Sequence, residues 1–188
     1  GKSSFSDDRW EKEIGYGHTR VLQDGAKIEK AAINFSHVSG NYSEKMAKAA
    51  GFNSDRFSAT GVSSIIHPHN PFAPIIHMNI RYFELDNGVS WFGGGIDLTP
   101  HYVDLKESSL FHKSLQALCD KYDSKFYSDF KKEADDYFFI KHRNETRGVG
   151  GIFFDHQKPD DKHSFEDFFN FTADLGTLYP DLYQSLIN

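Results

Sequence analysis

The sequence predicts an α+β fold: an antiparallel sheet flanked by helices on both faces. Three observations carry that expectation. Residues 75–99 alternate polar and apolar side chains on either side of Asp86-Asn87-Gly88, the pattern of a β-hairpin with one face on a core. After Pro100 the apolar period lengthens to three and four residues. Strand-like stretches come first, then helices, then a Gly-rich strand and further helices, which suits helices packed on an antiparallel sheet. The 188 residues fit a single domain over 1–188.

Composition narrows the function classes. Hydrophobic content is a modest 38%, but 18 Phe, 9 Tyr and 2 Trp supply bulky core material. The net charge of −6 argues against nucleic acid and against an anionic membrane surface as partners. A polyanionic ligand would have to be held by a local cluster of Arg and Lys. One cysteine, Cys119, excludes an internal disulfide framework and reads as a buried helix residue. No signal peptide and no apolar run long enough to cross a bilayer is seen, so the expected location is cytoplasmic.

Taken in order, residues 1–15 are polar and read as irregular. Arg20-Val21-Leu22, Asp24-Gly25 and Lys27–Val38 read as a hairpin with a long second strand. Ser43 to Ala50 reads as a short helix capped by Ser43. Residues 58–66 read as a strand, with Ser63 and His67 on one face if it extends that far. Asp104 is placed to cap a helix whose Leu105, Ser108, His112, Leu115, Cys119 and Tyr122 form one stripe. Ser124 is placed to cap a second, carrying Tyr127, Phe130, Ala134, Phe138 and His142. Residues 147–155 read as a Gly-rich strand, and 163–188 as two short helices broken near Gly176-Thr177 and Pro180.

The hairpin carries the chemistry. Ile76, Met78, Ile80 and Tyr82 fall on one face and read as core; His77, Asn79 and Arg81 fall on the other, a poor core face and a good wall for a polar ligand. The return strand puts Trp91, Gly93, Gly95 and Asp97 on one face, and strand glycines there leave a bare floor for close approach. Register decides whether the walls meet. A two-residue Asn87-Gly88 loop sends Asp97 to the face opposite His77 and Arg81. A three-residue Asn87-Gly88-Val89 loop sets Asp97 across from Asn79, and a bulge at the triple glycine also shifts the register. Either of the last two gathers His77, Asn79, Arg81 and Asp97, and that is the expectation adopted. Gly93-Gly94-Gly95 is not a phosphate loop, because no helix-opening Gly-rich pattern surrounds it.

These residues carry a resemblance. His67-Pro-x-Asn-Pro, His77-x-Asn79-x-Arg81-Tyr-Phe-Glu, Trp-Phe-Gly-Gly-Gly-x-Asp97-Leu-Thr-Pro-x-Tyr102 and His142-Arg-Asn-Glu-Thr-Arg147-Gly-Val-Gly-Gly-Ile-Phe-Phe-Asp155 resemble the oxygen-dependent coproporphyrinogen-III oxidase family of haem biosynthesis. Asp8-Arg9-Trp10 through Gly40 resembles it too, so the match runs along nearly the whole chain. The resemblance implies a large antiparallel sheet flanked by helices. It implies oxidative decarboxylation of two propionates of coproporphyrinogen III to vinyls, giving protoporphyrinogen IX, with oxygen as co-substrate and no required cofactor. The partners so implied are coproporphyrinogen III and oxygen, with no nucleic acid and no transmembrane segment.

Asp97 is the central catalytic candidate: a carboxylate accepts pyrrole N–H groups and can take such a proton. On spacing alone it equally caps the turn into Leu98-Thr99-Pro100. His77 matches the family's proton donor, a role histidine suits near neutral pH. Arg81 offers a planar fork to a propionate, or else pairs at the surface with Glu84 or Asp86. Substrate contacts carry over to Ser63, Asn79, Ile80 and Arg81, to Gly94 and Gly95, and more weakly to Arg147. His67, His77, His112 and His142 match positions proposed to hold a divalent metal in some members, although their spacing forms no local metal motif. Ten histidines also admit a His-metal hydrolase, a third reading.

Family members extend beyond Asn188, with a late Tyr-Val-Glu-Phe-Asn-Leu strand, an Asp-Arg-Gly segment and terminal helices that help close the site and form a homodimer. The family's leading helix is expected to be absent before Ser6. The chain therefore reads as catalytically equipped but incomplete, and an alternative is a fragment that binds a tetrapyrrole without turnover. A eukaryotic source would place it in mitochondria after removal of a targeting segment.

Overall fold

The computed structural model describes residues 4–41 and 56–187. The expected Ser43–Ala50 helix lies outside them. The elements are β1 Ser6–Lys12, β2 Gly15–Gln23, β3 Ile28–Asn41, β4 Arg56–Pro68, β5 Ile75–Leu85, β6 Ser90–Thr99, α1 Leu105–Cys119, α2 Phe126–Tyr137, β7 Phe139–Ile140, β8 Glu145–Thr146, β9 Gly151–Gln157 and α3 Phe165–Ile187. One seven-stranded sheet runs β1-β2-β3-β4-β5-β6-β9, antiparallel throughout. β7 and β8 form a separate ribbon.

Side-chain alternation divides the sheet into two unlike faces. Ile76, Met78, Phe92, Ile96, Leu98, Ile152 and Phe154 point to one face and pack under the helices. Phe111, Phe154 and Phe171 are wholly buried there, and burying each such ring contributes roughly 1.5–3 kcal/mol. The described helices all serve this face or the β9 edge. α1 and α3 lie on it, while α2 follows β9 and ends with Tyr137 stacked on Phe153, ring centroids 4.2 Å apart. Where helices were expected on both faces, the described residues leave the second face open.

Several elements differ from expectation for local reasons. Residues 6–12 pair along their full length with β2, from Ser6–Val21 to Lys12–Gly15. Their charges suit an exposed edge strand rather than an irregular segment. The second helix begins at Phe126 with Lys125 at its N-cap and no side-chain cap from Ser124; in the turn before it Asp123 Oδ1 accepts the Lys125 N–H at 2.8 Å. It stops at Tyr137, so His142 sits in the turn between β7 and β8 and not on the helix stripe. Residues 165–187 form one helix and not two. A Ser164–Asp167 box opens it: Asp167 Oδ2 accepts the Ser164 N–H at 2.8 Å and Ser164 Oγ accepts the Asp167 N–H at 3.2 Å. Pro180 removes the bond to the Gly176 carbonyl, but tertiary bonds hold both sides of the gap. Tyr179 donates to Ser64 Oγ and Tyr183 to the Pro74 carbonyl, both at 3.1 Å.

Cys119 is fully buried on α1, and burial pushes its thiol up to about 12, as a core residue requires. His112 is also structural. Its Nε2 donates to the Val149 carbonyl at 2.9 Å and its Nδ1 accepts from the Tyr127 hydroxyl at 3.0 Å. Burial lowers its pKa, so the unfolded chain takes up the proton first. The stabilisation it gives is present above the ordinary value of 6.5 and is lost as pH falls below it. Urea titrations between about pH 7 and about pH 5 should therefore show wild type losing more stability than His112→Gln. Equal losses would contradict this assignment.

Candidate active site on the open sheet face

The hairpin turn sets the site. Leu85 donates to the Val89 carbonyl at 2.8 Å, leaving Asp86-Asn87-Gly88 as a three-residue loop. Gly88 has φ +84, the left-handed conformation that the third residue of such a loop demands. This loop lies one residue earlier than Asn87-Gly88-Val89. Asp97 therefore pairs with His77 and not with Asn79; Asn79 faces Gly95 and Arg81 faces Gly93. The shift is by whole pleats, so the expected gathering of His77, Asn79, Arg81 and Asp97 on one face holds.

Asp97 is 3% exposed, and its carboxylate is held from two sides. Arg147 grips it as a fork, Nε to Oδ2 at 3.1 Å and Nη2 to Oδ1 at 2.7 Å. His77 Nδ1 donates to Oδ2 at 3.2 Å, which leaves His77 Nε2 for other work. Of the four acceptor positions on a carboxylate, these bonds use three and leave one on Oδ1. The carboxylate does not cap the turn into Leu98-Thr99-Pro100.

Arg147 reaches this position through a glycine-dependent segment. Val149 donates to the Leu98 carbonyl at 3.0 Å and Leu98 to the Gly150 carbonyl at 3.1 Å. Gly148, between them, has φ +58, and a side chain there would strike the Leu98 carbonyl. The guanidinium lies over the Phe138 ring, 4.3 Å from its centroid. The weakest of the expected substrate contacts is thus the principal partner of Asp97, a pairing that spacing did not reveal.

Arg81 stands one pleat from Asn79 and donates to its Oδ1 at 3.0 Å. Its ion pair is with Asp155 of β9 at 2.9 Å, not with Glu84 or Asp86. Glu84 instead accepts from the Tyr82 hydroxyl. Asp155 ends one of the motifs that carry the family resemblance, but no site role was expected of it. Next to Asn79, Ser63 and then Asn34 and Thr19 continue a polar row across β4, β3 and β2. An open cleft of about 320 Å³ lies along this face, lined by Trp10, Asn34, Ser36, Ser63, Asn79 and Arg81 among others. A more apolar cleft of about 360 Å³, lined by Val62, Tyr82, Phe92, Phe165 and Phe169, lies on the helix side, away from Asp97 and Arg147. The Asp97–Arg147 and Arg81–Asp155 pairs both lie on the polar face, and Arg81 also lines its cleft.

Two expected contacts point elsewhere. Ile80 packs toward the helices, beneath Gly176, and Gly94 faces Phe154. Each can meet a ligand on the open face only through backbone; Gly95 faces the open side beside Phe153. The four-histidine metal set does not assemble. His67 and His77 are neighbours, with ring centroids 6.3 Å apart. His112 has both nitrogens committed on the helix side, and His142 is exposed in the β7–β8 turn. Among the described residues no group of three His, Cys, Asp or Glu is placed to share a metal.

The open antiparallel sheet face thus carries a buried aspartate held by Arg147, with a second arginine, Arg81, nearby. The coproporphyrinogen III oxidase family model matches residues 1–188, and the chain belongs to that family. It is 48% identical over 185 residues to the mitochondrial oxygen-dependent coproporphyrinogen-III oxidase of Rattus norvegicus, covering 91% of this chain and 41% of the rat protein. It is 48% identical over 182 residues to the oxygen-dependent coproporphyrinogen-III oxidase of Drosophila melanogaster, covering 90% of this chain and 46% of that one. The enzyme of the same name from Wigglesworthia glossinidia brevipalpis is 41% identical over 194 residues, covering 100% of this chain and 63% of the relative. The chain thus spans between 41% and 63% of the length of these curated relatives.

Removing one partner of a buried, charge-assisted bond exposes the cost of the other. Arg147→Ala should lower folding stability by about 1.5–3 kcal/mol. In a double-mutant cycle with Asp97→Asn the two losses should fall short of additivity by more than about 1 kcal/mol. Additive losses in urea unfolding would show that the fork does not hold Asp97.

Proposed function

We propose that this chain binds coproporphyrinogen III on the open sheet face and carries the residues for oxygen-dependent oxidative decarboxylation of two of its propionates to vinyls, yielding protoporphyrinogen IX. The observation that carries this reading is the His77–Asp97–Arg147 cluster beside Arg81, Asn79 and Ser63. The free acceptor position on Asp97 Oδ1 receives a pyrrole N–H. Arg81, with Asn79 and Ser63 beside it, receives a propionate. Gly95, half-buried on this face, lets the macrocycle approach the strand closely, while the Arg81–Asp155 pair lies over Gly93.

The chemistry follows from that placement. Each propionate loses carbon dioxide from its end and a hydride equivalent from the carbon next to the ring. The two electrons pass to oxygen, which with two protons gives hydrogen peroxide. Proton loss from the pyrrole nitrogen toward Asp97 makes the ring electron-rich enough to react with oxygen directly, so the reading needs neither metal nor organic cofactor. His77, aligned by its Nδ1–H bond to Asp97, supplies a proton from Nε2 when it is the doubly protonated imidazolium. Arg147 keeps the carboxylate in place throughout.

The relatives' greater length supports a second reading, in which this segment binds the tetrapyrrole but does not turn it over. The further segments would complete the site and a homodimer. Among the described residues no helix is long and apolar enough to cross a membrane. The reading places the protein in the cytoplasm of a bacterial source or the mitochondria of a eukaryote, and the rat relative is named as mitochondrial.

Anaerobic mixing of the chain with coproporphyrinogen III, followed by admission of oxygen, tests both readings. Wild type should form the monovinyl intermediate and then protoporphyrinogen IX, and Asp97→Asn should lower the rate at least about a hundredfold. Binding without oxygen uptake by folded wild type would support the second reading. Failure to bind the tetrapyrrole at all would overturn both.

A further inference from the structure

Beyond the Asp97 cluster, three features of the sheet converge on Asp155. The first is its ion pair with Arg81, Oδ2 to Nη2 at 2.9 Å, both side chains about one-third exposed at 31% and 35%. The second is Gly93 beneath that pair. A Cβ there would lie 2.5 Å from Asp155 Oδ1 and 2.9 Å from Arg81 Nε, so the pair can lie flat across β6 only because residue 93 is glycine. The third is the backbone. Phe92 pairs with Gln157 and Gly94 with Phe154, so Asp155 and His156 together oppose Gly93, a β-bulge.

The bulge is pinned by its own bonds. His156 takes φ +53, uncommon for a non-glycine residue, and its N–H donates to Asp155 Oδ1 at 2.9 Å. Gln157 Nε2 donates to the Asp155 carbonyl at 2.9 Å, and the His156 ring stacks on Trp91 at 5.1 Å. One carboxylate oxygen is thus fixed to the backbone of its own strand, and the other faces Arg81. At its far side the same guanidinium reaches Asn79 Oδ1 at 3.0 Å. Arg81 is stretched between the pinned Asp155 carboxylate and Asn79 Oδ1, across a residue without a side chain. An arginine on an open face would otherwise sample many rotamers, an entropy that ligand binding would have to remove.

We infer that Asp155 is a positioning residue that holds the Arg81 guanidinium in the plane where a substrate carboxylate meets it. This rests on the reading of Arg81 as a propionate contact. The bulge supplies the means: in an unbroken ladder the residues opposite Gly93 would number one, and the spacing that turns the Asp155 carboxylate to Arg81 while its Oδ1 bonds His156 would be lost. Asp155 does not itself meet the ligand's reacting carbons; it acts through Arg81.

Coproporphyrin III, the oxidised and unreactive macrocycle with the same four propionates, is the probe, titrated by its fluorescence into the wild-type chain and variants. Arg81→Ala should weaken binding about tenfold, the loss of one charge-assisted contact. Asp155→Ala should weaken it about threefold to tenfold in the wild-type background and less than about twofold in the Arg81→Ala background. A merely structural role for Asp155 would give the same loss in both backgrounds, and that result overturns the inference. So does unchanged affinity in Asp155→Ala when Arg81→Ala is weakened. If Arg81→Ala binds as wild type does, the reading of Arg81 itself fails. Should Asp155→Ala not fold, Asp155→Asn keeps an acceptor for the His156 N–H while removing the charge, and the same comparison of backgrounds decides.

Discussion

A carboxylate with 3% of its surface exposed has to be paired, and Asp97 is paired by Arg147 and His77. An unpaired charge at that depth would cost several kcal/mol, about 3–5 for a broken buried pair. Much of the open face follows from meeting that requirement. The β5–β6 register has to put His77 directly opposite Asp97. The chain after β8 has to bend back along β6, which is why Gly148 and Gly150 take positive φ values of +58 and +76. The end of α2 has to offer Phe138 as a platform for the guanidinium. Each of these is a backbone decision made to satisfy one side chain.

The two faces of the sheet divide the labour. One is closed by α1 and α3 over a Phe-rich core, and that rigid backing fixes the strands. The other presents rings, hydroxyls, amides and two Arg–Asp pairs to open space, with glycines where side chains must lie flat. A site built on strand positions backed by packed helices holds its geometry better than one carried by loops. The same division explains why His112, on the packed side, is locked as a neutral hydrogen-bonding residue, whereas His77 keeps one nitrogen available.

Much of this was legible in the sequence, and the failures have physical causes. Alternation alone separated Ile76, Met78, Ile80 and Tyr82 from His77, Asn79 and Arg81. It could not fix the hairpin register, which depends on which residue of Asp86-Asn87-Gly88-Val89 enters the left-handed region. The break expected at Pro180 did not occur because Tyr179 and Tyr183 anchor the helix through long-range bonds that no local pattern records. β1 was missed because an edge strand of charged residues has no apolar signature. Arg147 was named only through family resemblance, and its grip on Asp97 spans 50 positions of sequence. Asp155 stood in a family-resembling motif but drew no role, because its orientation comes from a bulge, which strict alternation hides; the paired signal was Gly93, a strand glycine in need of a neighbour.

The central claim is that the open face seats a tetrapyrrole with a pyrrole N–H on Asp97 and a propionate on Arg81. The most direct test is a crystal structure of the chain with coproporphyrin III. The macrocycle should lie over Gly95, with a ring nitrogen within hydrogen-bond reach of Asp97 Oδ1 and a carboxylate on Arg81. A macrocycle bound instead in the apolar cleft between Phe92, Phe165 and Phe169, or seated on the open face with no contact to Asp97, would contradict the account.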